Sequence, residues 1–327
     1  MMALHPERQG GSPVNRHTIV NDPPITTSSE APGKKTYRGR FAPSPTGRLH
    51  FGSLVAAVAS YTDALHHQGE WLLRFDDVDE TRTLPEAVDG ILTTLDAFGF
   101  EWSAEPASQS DRVGLYQAIL DRLLTEDLAF YCGCSRKEIE AVGRPGTDGP
   151  LYPGTCRNGL PRGKQPRSIR LRVENKTVRF VDRFAGPVQQ NVAQQIGDFV
   201  IRRADGFAAY QLAVVVDDSI ENITHVVRGA DLLESTPRQL YLQQQLGFAY
   251  PVYGHIPLVR DACGKKLSKD DAARALTLNN PLPSLLAAWQ FLGQISLASG
   301  ITHVSDFWSE AARLWSPARV PIATGKV

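Results

Sequence analysis

Cysteine is scarce in these 327 residues: there are four in all, three of them between positions 132 and 156. A disulfide-framed secreted fold is therefore excluded, and the three gathered thiols call for another explanation. Formal net charge is zero, with 35 basic against 35 acidic residues. No global field advertises a polyanionic partner, so contact with nucleic acid has to come from a local patch. No apolar run is long enough to span a membrane, nothing resembles a secretory signal, and no internal repeat is visible. The expected setting is the cytoplasm, without membrane contact. Residues 1–37 lack a sustained apolar period and are rich in Pro, Ser, Thr, Asn and Gly, the composition of a disordered extension. The remainder is ordinary globular sequence. The hydrophobic share of the whole chain, 42%, is enough for a large core and about two structural units.

Residues 39–54, Gly-Arg-Phe-Ala-Pro-Ser-Pro-Thr-Gly-Arg-Leu-His-Phe-Gly-Ser-Leu, read as strand end, Pro/Gly loop and helix start. Pro43 and Pro45 stop the strand from pairing further, and Thr46-Gly47 supply turn chemistry. Leu54, Ala57, Val58, Tyr61 and Leu65 then recur at helical spacing, so a helix begins near Gly52 and turns its N-terminal N–H groups toward the loop. Such an end attracts phosphate. His50 can donate to a phosphate oxygen, and Gly52 lets an adenine approach the backbone. The expected ligand there is ATP.

Downstream, Trp71–Phe75 is a short apolar strand that runs into Asp76, and acids at a strand's carboxyl end mark a ligand edge. Residues 85–98 and 112–124 have the apolar period of core helices. Residues 168–182 alternate as a two-stranded ribbon turned at Glu174-Asn175-Lys176, and Phe199 to Tyr210 reads as a hairpin-like return whose last strand Tyr210 ends. His225–Asp231 reads as a buried strand that ends in Arg228 and a glycine turn, a second ligand edge. A guanidinium there matches a carboxylate bidentately. After Lys269 only 58 residues follow, with one clear amphipathic helix near 282–292 and a loose tail.

Between Arg157 and Arg183 lie nine basic residues against Glu174 and Asp182, a strongly basic block that suits either a solvated surface or RNA. Cys132-Gly133-Cys134 and Cys156 fall within 25 residues, and clustered thiolates in a reducing compartment favour Zn²⁺, which takes four tetrahedral ligands. No histidine lies between His67 and His225, which leaves Asp148, Tyr152 or a water for the fourth position.

Pro-Ser-Pro-Thr-Gly followed by His50-Phe51-Gly52-Ser53, with Lys265-Lys266-Leu267-Ser268-Lys269 far downstream, resembles the two ATP signatures of class I aminoacyl-tRNA synthetases in their glutamyl form. The resemblance covers residues 38 to about 275. It departs at Ser53, where the class usually has His or Asn, and at Asp76, where the family usually has Glu. It implies an α/β fold: a doubly wound parallel, Rossmann-like catalytic domain with a zinc-bearing insertion and a short helical C-terminal segment. The divisions expected are residues 1–37 (extension), 38–131 and 199–258 (the two catalytic halves), 132–198 (a basic, RNA-contacting insertion) and 259–327 (lysine loop and helical segment). The resemblance implies ATP on His50, Gly52, Ser53, Lys266 and Lys269, with His50 and Lys269 catalytic and Mg²⁺ on the phosphates. It implies glutamate on Arg40, Phe41, Ala42, Pro43, Ser44, Asp76, Tyr210 and Arg228, where Asp76 meets the α-ammonium and Arg228 the side-chain carboxylate. For the metal it points to Tyr152 beside Cys132, Cys134 and Cys156, one structural Zn²⁺ per chain.

Within the family the match is to a truncated paralogue that transfers glutamate to queuosine in the anticodon stem-loop of tRNA(Asp), expected as a monomer. The alternatives are a glutamyl-tRNA synthetase without an anticodon-binding domain, and a non-catalytic paralogue that binds tRNA or amino acid.

Overall fold

The computed structural model describes residues 36–260 and 276–322. The lysine signature at 265–269, with Lys266 and Lys269, lies outside the described residues. The first strand, β1 (Arg38–Phe41), is buried at three of its four positions, and the Pro/Gly loop leads from it to α1 (Phe51–His66). Nearly every residue of α1 from Leu54 to Ala64 is buried, because the helix is covered on more than one side. Gly69 turns the chain from α1 into β2 (Glu70–Phe75); a Cβ there would lie 2.4 Å from the Tyr37 carbonyl, so no side chain fits. α2 (Pro85–Ala97) starts with proline in its first turn, where a missing N–H costs nothing, and leads to the short β3 (Ala107–Ser108) and α3 (Val113–Thr125).

An excursion follows. It contains β4 (Ala129–Cys132), α4 (Arg136–Val142), the two-residue strands β5 (Pro145–Gly146) and β6 (Gly149–Pro150), and β7 (Ser168–Leu171). It continues through β8 (Thr177–Asp182), β9 (Gly186–Asn191), α5 (Val192–Gln195) and β10 (Val200–Arg202). The chain then returns through α6 (Tyr210–Ile220), β11 (His225–Gly229), α7 (Thr236–Leu246) and β12 (Val252–Ile256), and ends its described part with α8 (Leu282–Phe291) and α9 (Val304–Leu314).

β1, β2 and β3 pair in parallel in that order, and β11 pairs in parallel with β12. Thr224, just before β11, donates its N–H to the Arg38 carbonyl of β1 at 2.9 Å, which joins the two groups edge to edge. The resulting order is β3-β2-β1-β11-β12, reversing direction of growth between β1 and β11. Alternate residues feed two cores: Val227 packs with α1, α8 and α9, whereas Val226 packs with α3, α6 and α7. Helices on both faces leave one natural crevice, outside the carboxyl ends of β1 and β11.

Four expectations change at this level. Residues 168–182 are not one ribbon: β7 lies between β4 and β10, whereas β8 pairs with β9. The alternation was real, but each strand finds its partner elsewhere in the chain. Tyr210 opens α6 instead of closing a strand, since the return is a single bridge, Arg202 to Ala208. The tail read as loose contains α9, whose Phe307, Trp308 and Ala311 are buried and whose Trp308 donates to the Phe98 carbonyl at 3.0 Å. Tyr37, the last residue of the segment read as an extension, is also buried and donates to Asp63 at 2.6 Å.

Candidate active site and metal centre

A cleft of about 340 Å³ opens in the crevice between β1 and β11. Arg40, Phe41, Ala42, Pro43 and Ser44 line it from the end of β1, Asp76 from the end of β2, Tyr210 from the start of α6, and Arg228 from β11. All eight residues expected to hold an amino acid thus share one cavity, and Ser53 lies on its wall.

The floor is an ionic network. Arg40 holds both carboxylate oxygens of Asp218 at 3.2 Å. Arg74, fully buried, donates to Asp76 (2.9 Å), Asp218 (2.8 Å) and Glu221 (2.8 Å). Arg112 reaches Asp217 and Glu221, and Asp217 also accepts from Tyr116 and Gln109. Three guanidiniums therefore face four carboxylates, Asp76, Asp217, Asp218 and Glu221, which leaves one negative charge over. Asp76 is the member of this set that lines the cleft. Burial pushes its carboxyl up to about 6 even though Arg74 pulls the other way, the behaviour of an acid short of positive charge. Asp218, by contrast, is held below the usual carboxylate range: burial opposes this, and Arg40 and Arg74 outweigh it.

Arg228 has the opposite surroundings. It is 5% exposed, and its partners are His255 Nε2 (3.0 Å), Thr236 Oγ1 (2.8 Å), Gln239 Oε1 (2.8 Å), the Leu232 carbonyl and the Tyr210 hydroxyl (both 3.4 Å). Among the described residues no carboxylate pairs with it. A buried guanidinium with only neutral partners is costly unless a ligand brings the anion.

At the helix end, His50 does something the sequence did not suggest. It is the N-cap of α1, and its Nδ1 accepts from the N–H groups of Gly52 (3.1 Å) and Ser53 (3.4 Å). Two of the amides expected to face phosphate are used by the imidazole. The cap also fixes the ring's tautomer, since an accepting Nδ1 leaves the proton on Nε2 as a donor.

The three thiols converge. The Sγ atoms of Cys132, Cys134 and Cys156 lie within 4.8 Å of one another, with Cys134 and Cys156 3.7 Å apart. A tetrahedral site with Zn–S bonds of about 2.3 Å sets its sulfurs about 3.8 Å apart, so this donor set fits that ion. The Tyr152 hydroxyl lies 3.4 Å from Cys132 and 3.9 Å from Cys134 and accepts the Cys156 N–H at 2.7 Å, a bond that supports charge on the phenol oxygen. Asp148 is elsewhere, paired with Arg238. The local core comprises only Phe130, Cys132, Ile139, Tyr152 and Cys156 with Cys134 and Leu160 against it, too little to hold the long loop by burial alone.

The basic block is largely committed to the fold. Arg157 pairs with Asp198, Lys164 with Glu138, Arg172 with Asp127, Lys176 with Glu174 and Arg183 with Asp63, and Arg170 lies over the Tyr152 ring. Arg162, Arg167, Arg179 and the ion-paired Lys176 remain exposed. Residues that sequence reasoning missed include Arg74, Asp217, Asp218, Asp182 and His255; charged or polar residues inside apolar runs, as in Trp71–Phe75 and Leu212–Asp218, were the available signal.

Residues 36–280 match the family model described as tRNA synthetases class I (E and Q), catalytic domain. The chain is 52% identical over 290 residues to a glutamyl-Q tRNA(Asp) synthetase of Dechloromonas aromatica, covering 87% of this chain and 96% of that one. It is 51% identical to a protein of the same name from Chromobacterium violaceum, covering 87% of this chain and 95% of the relative. Among solved structures it resembles a glutamate tRNA ligase from Elizabethkingia meningosepticum crystallised with its amino acid, at TM-score 0.72 and 24% identity. That superposition covers 88% of this chain and 66% of the ligase, and it supports the fold. The protein is an enzyme of the ligase class. With three-quarters of its length matched, the chain belongs to the class I tRNA synthetases of the glutamate and glutamine (E and Q) group.

Proposed function

We propose that the chain activates glutamate with ATP and transfers it to queuosine in the anticodon of tRNA(Asp). The observation that carries the first half is the charge layout of the cleft, an acid in need of a cation at Asp76 and, among the described residues, a cation with no carboxylate paired to it at Arg228. Glutamate brings both missing charges. Its α-ammonium would complete the network at Asp76, and its side-chain carboxylate would meet the Arg228 fork. Glutamine would turn an amide toward donors, leaving buried groups unpaired and being rejected for that reason. Arg40, Phe41, Ala42, Pro43 and Ser44 would shape the wall around the substrate backbone, and Tyr210 would close it.

In this reading the glutamate α-carboxylate attacks the α-phosphate of ATP and pyrophosphate leaves, so no side chain acts as a covalent nucleophile. The protein's part is positioning and charge neutralisation. His50 would offer its Nε2–H to a phosphate oxygen, oriented by its own capping bonds; Gly52 and Ser53 would accept the nucleotide beside it. Lys266 and Lys269 are assigned to the departing pyrophosphate on the strength of their signature. Mg²⁺, carried by the phosphates, would add to that neutralisation. Zn²⁺ on Cys132, Cys134, Tyr152 and Cys156 would be structural, with four protein ligands and no position open to substrate. The acceptor is supported by the names of relatives about half identical over nearly their full lengths. Glutamate-dependent ATP–pyrophosphate exchange, with glutamine as the comparison, tests the activation half; no exchange with glutamate, or equal exchange with both, would reject it.

A further inference from the structure

The neutral partner that orients Arg228 is itself held by a buried acid. For His255 Nε2 to accept from Arg228 Nε, the imidazole must be uncharged with its proton on Nδ1. That Nδ1 lies 2.6 Å from Asp182 Oδ2. The other oxygen of Asp182 is already occupied: Oδ1 accepts the N–H groups of Phe184 (3.0 Å), Ala185 (2.9 Å) and His255 (3.1 Å). Those three bonds fix the carboxylate's rotation, so Oδ2 faces the ring. His255 and Asp182 are 0% and 1% exposed. Burial pushes His255 down to about 4 against the bond to Asp182 and the charges of Asp182 and Asp231, with the Arg228 cation acting in the same direction as burial, so the ring stays neutral at ordinary pH. An acid touching Arg228 directly would satisfy the guanidinium and remove its reason to bind an anion. Placed one imidazole away, the acid orients the fork without quenching it.

We propose that Asp182 and His255 are positioning residues for recognition of the glutamate side chain: Asp182 sets the His255 tautomer, and that tautomer holds the Arg228 fork in register with the substrate carboxylate. The proposal rests on the assignment of Arg228 made above. It predicts an unusual sensitivity to Asp182→Asn. The amide oxygen keeps the three backbone bonds at Oδ1, so the NH₂ group replaces Oδ2 and confronts His255 Nδ1. The ring must then carry its proton on Nε2, and an N–H meets the Arg228 Nε–H. Loss of a hydrogen bond to a charged group should raise the KM for glutamate about tenfold or more while the KM for ATP stays unchanged. His255→Gln keeps an acceptor for Arg228 and a donor for Asp182 in one amide, and should stay within about threefold of the parent; His255→Leu should behave like Asp182→Asn.

The measurement is glutamate-dependent ATP–pyrophosphate exchange by the full chain with tRNA(Asp) present. An unmoved glutamate KM in Asp182→Asn, or equal rises for glutamate and ATP, overturns the proposal. Arg228→Leu separates the levels. If that variant activates glutamate normally, the assignment of Arg228 itself falls; if it is inactive while Asp182→Asn is normal, only the relay falls. Nitrogen-15 histidine NMR of the parent chain gives an answer independent of variant folding. A protonated Nδ1 with an unprotonated Nε2 at His255 supports the relay, and the reverse tautomer contradicts it.

Discussion

Replacing Arg228 with leucine removes a guanidinium that is 5% exposed and takes its donor from Thr236 Oγ1 and Gln239 Oε1, while His255 Nε2 keeps only the Thr236 hydroxyl, 3.2 Å away. Two consequences can be separated. Truncating one side of a buried, hydrogen-bonded charge pair costs about 2–5 kcal/mol of binding, and at about 1.4 kcal/mol per decade the middle of that range is a loss of several hundredfold in kcat/KM for glutamate. The orphaned acceptors act on the free protein instead, costing about 1–3 kcal/mol of stability and lowering Tm by several degrees. ATP should be nearly untouched, because His50 and Ser53 sit at the N-terminal end of α1 and, among the described residues, no hydrogen bond joins either of them to Arg228. The assay is ATP–pyrophosphate exchange at varied glutamate and fixed ATP, with ATP affinity measured separately and circular dichroism as a check of folding. A folded variant whose kcat/KM for glutamate stays within about threefold of the parent would remove Arg228 from the glutamate site, since no carboxylate partner could then have been lost.

Two further predictions concern the acid and the metal. Asp76 carries its charge only above about 6, so the KM for glutamate should be flat at higher pH and rise as pH falls through that value. Asp76→Asn should abolish the pH step and raise the KM throughout; a parent profile flat from about pH 5 to 7 would remove Asp76 from the ammonium site. Freshly purified protein should contain about one zinc per chain, and Cys132→Ser should lower both zinc content and the Tm, because a loop with so little core folds together with its metal. Metal analysis that finds no zinc in chelator-free protein would contradict the centre.

What could be read from sequence was whatever the chain keeps local. The strand, loop and helix around His50, the Arg228 edge and the three thiols are contiguous patterns, and the fold places them where their local chemistry suggests. Long-range pairings were not legible. Asp182 and His255 meet across 73 residues, and nothing in Val252–Ile256 announces that its histidine faces an acid from β8. The same holds for β7 and β8, whose alternation shows that they are strands but does not name their partners. The pairing within the basic block was hidden for a related reason: charge counts along a chain do not show which acids, such as Asp63 and Asp198, fold back to meet the arginines. In α9 the signal was present, since Phe307, Trp308 and Ala311, with Trp315 just past the helix end, recur at helical spacing among polar residues.

The acceptor of the activated glutamate decides between the tRNA modification enzyme and a conventional synthetase. Radiolabelled glutamate with ATP, offered to tRNA(Asp) bearing queuosine, to tRNA(Asp) lacking it and to tRNA(Glu), tests it directly. Label should appear on the queuosine-bearing tRNA(Asp) alone; equal charging of unmodified tRNA(Glu) would instead make the chain a conventional glutamyl-tRNA synthetase.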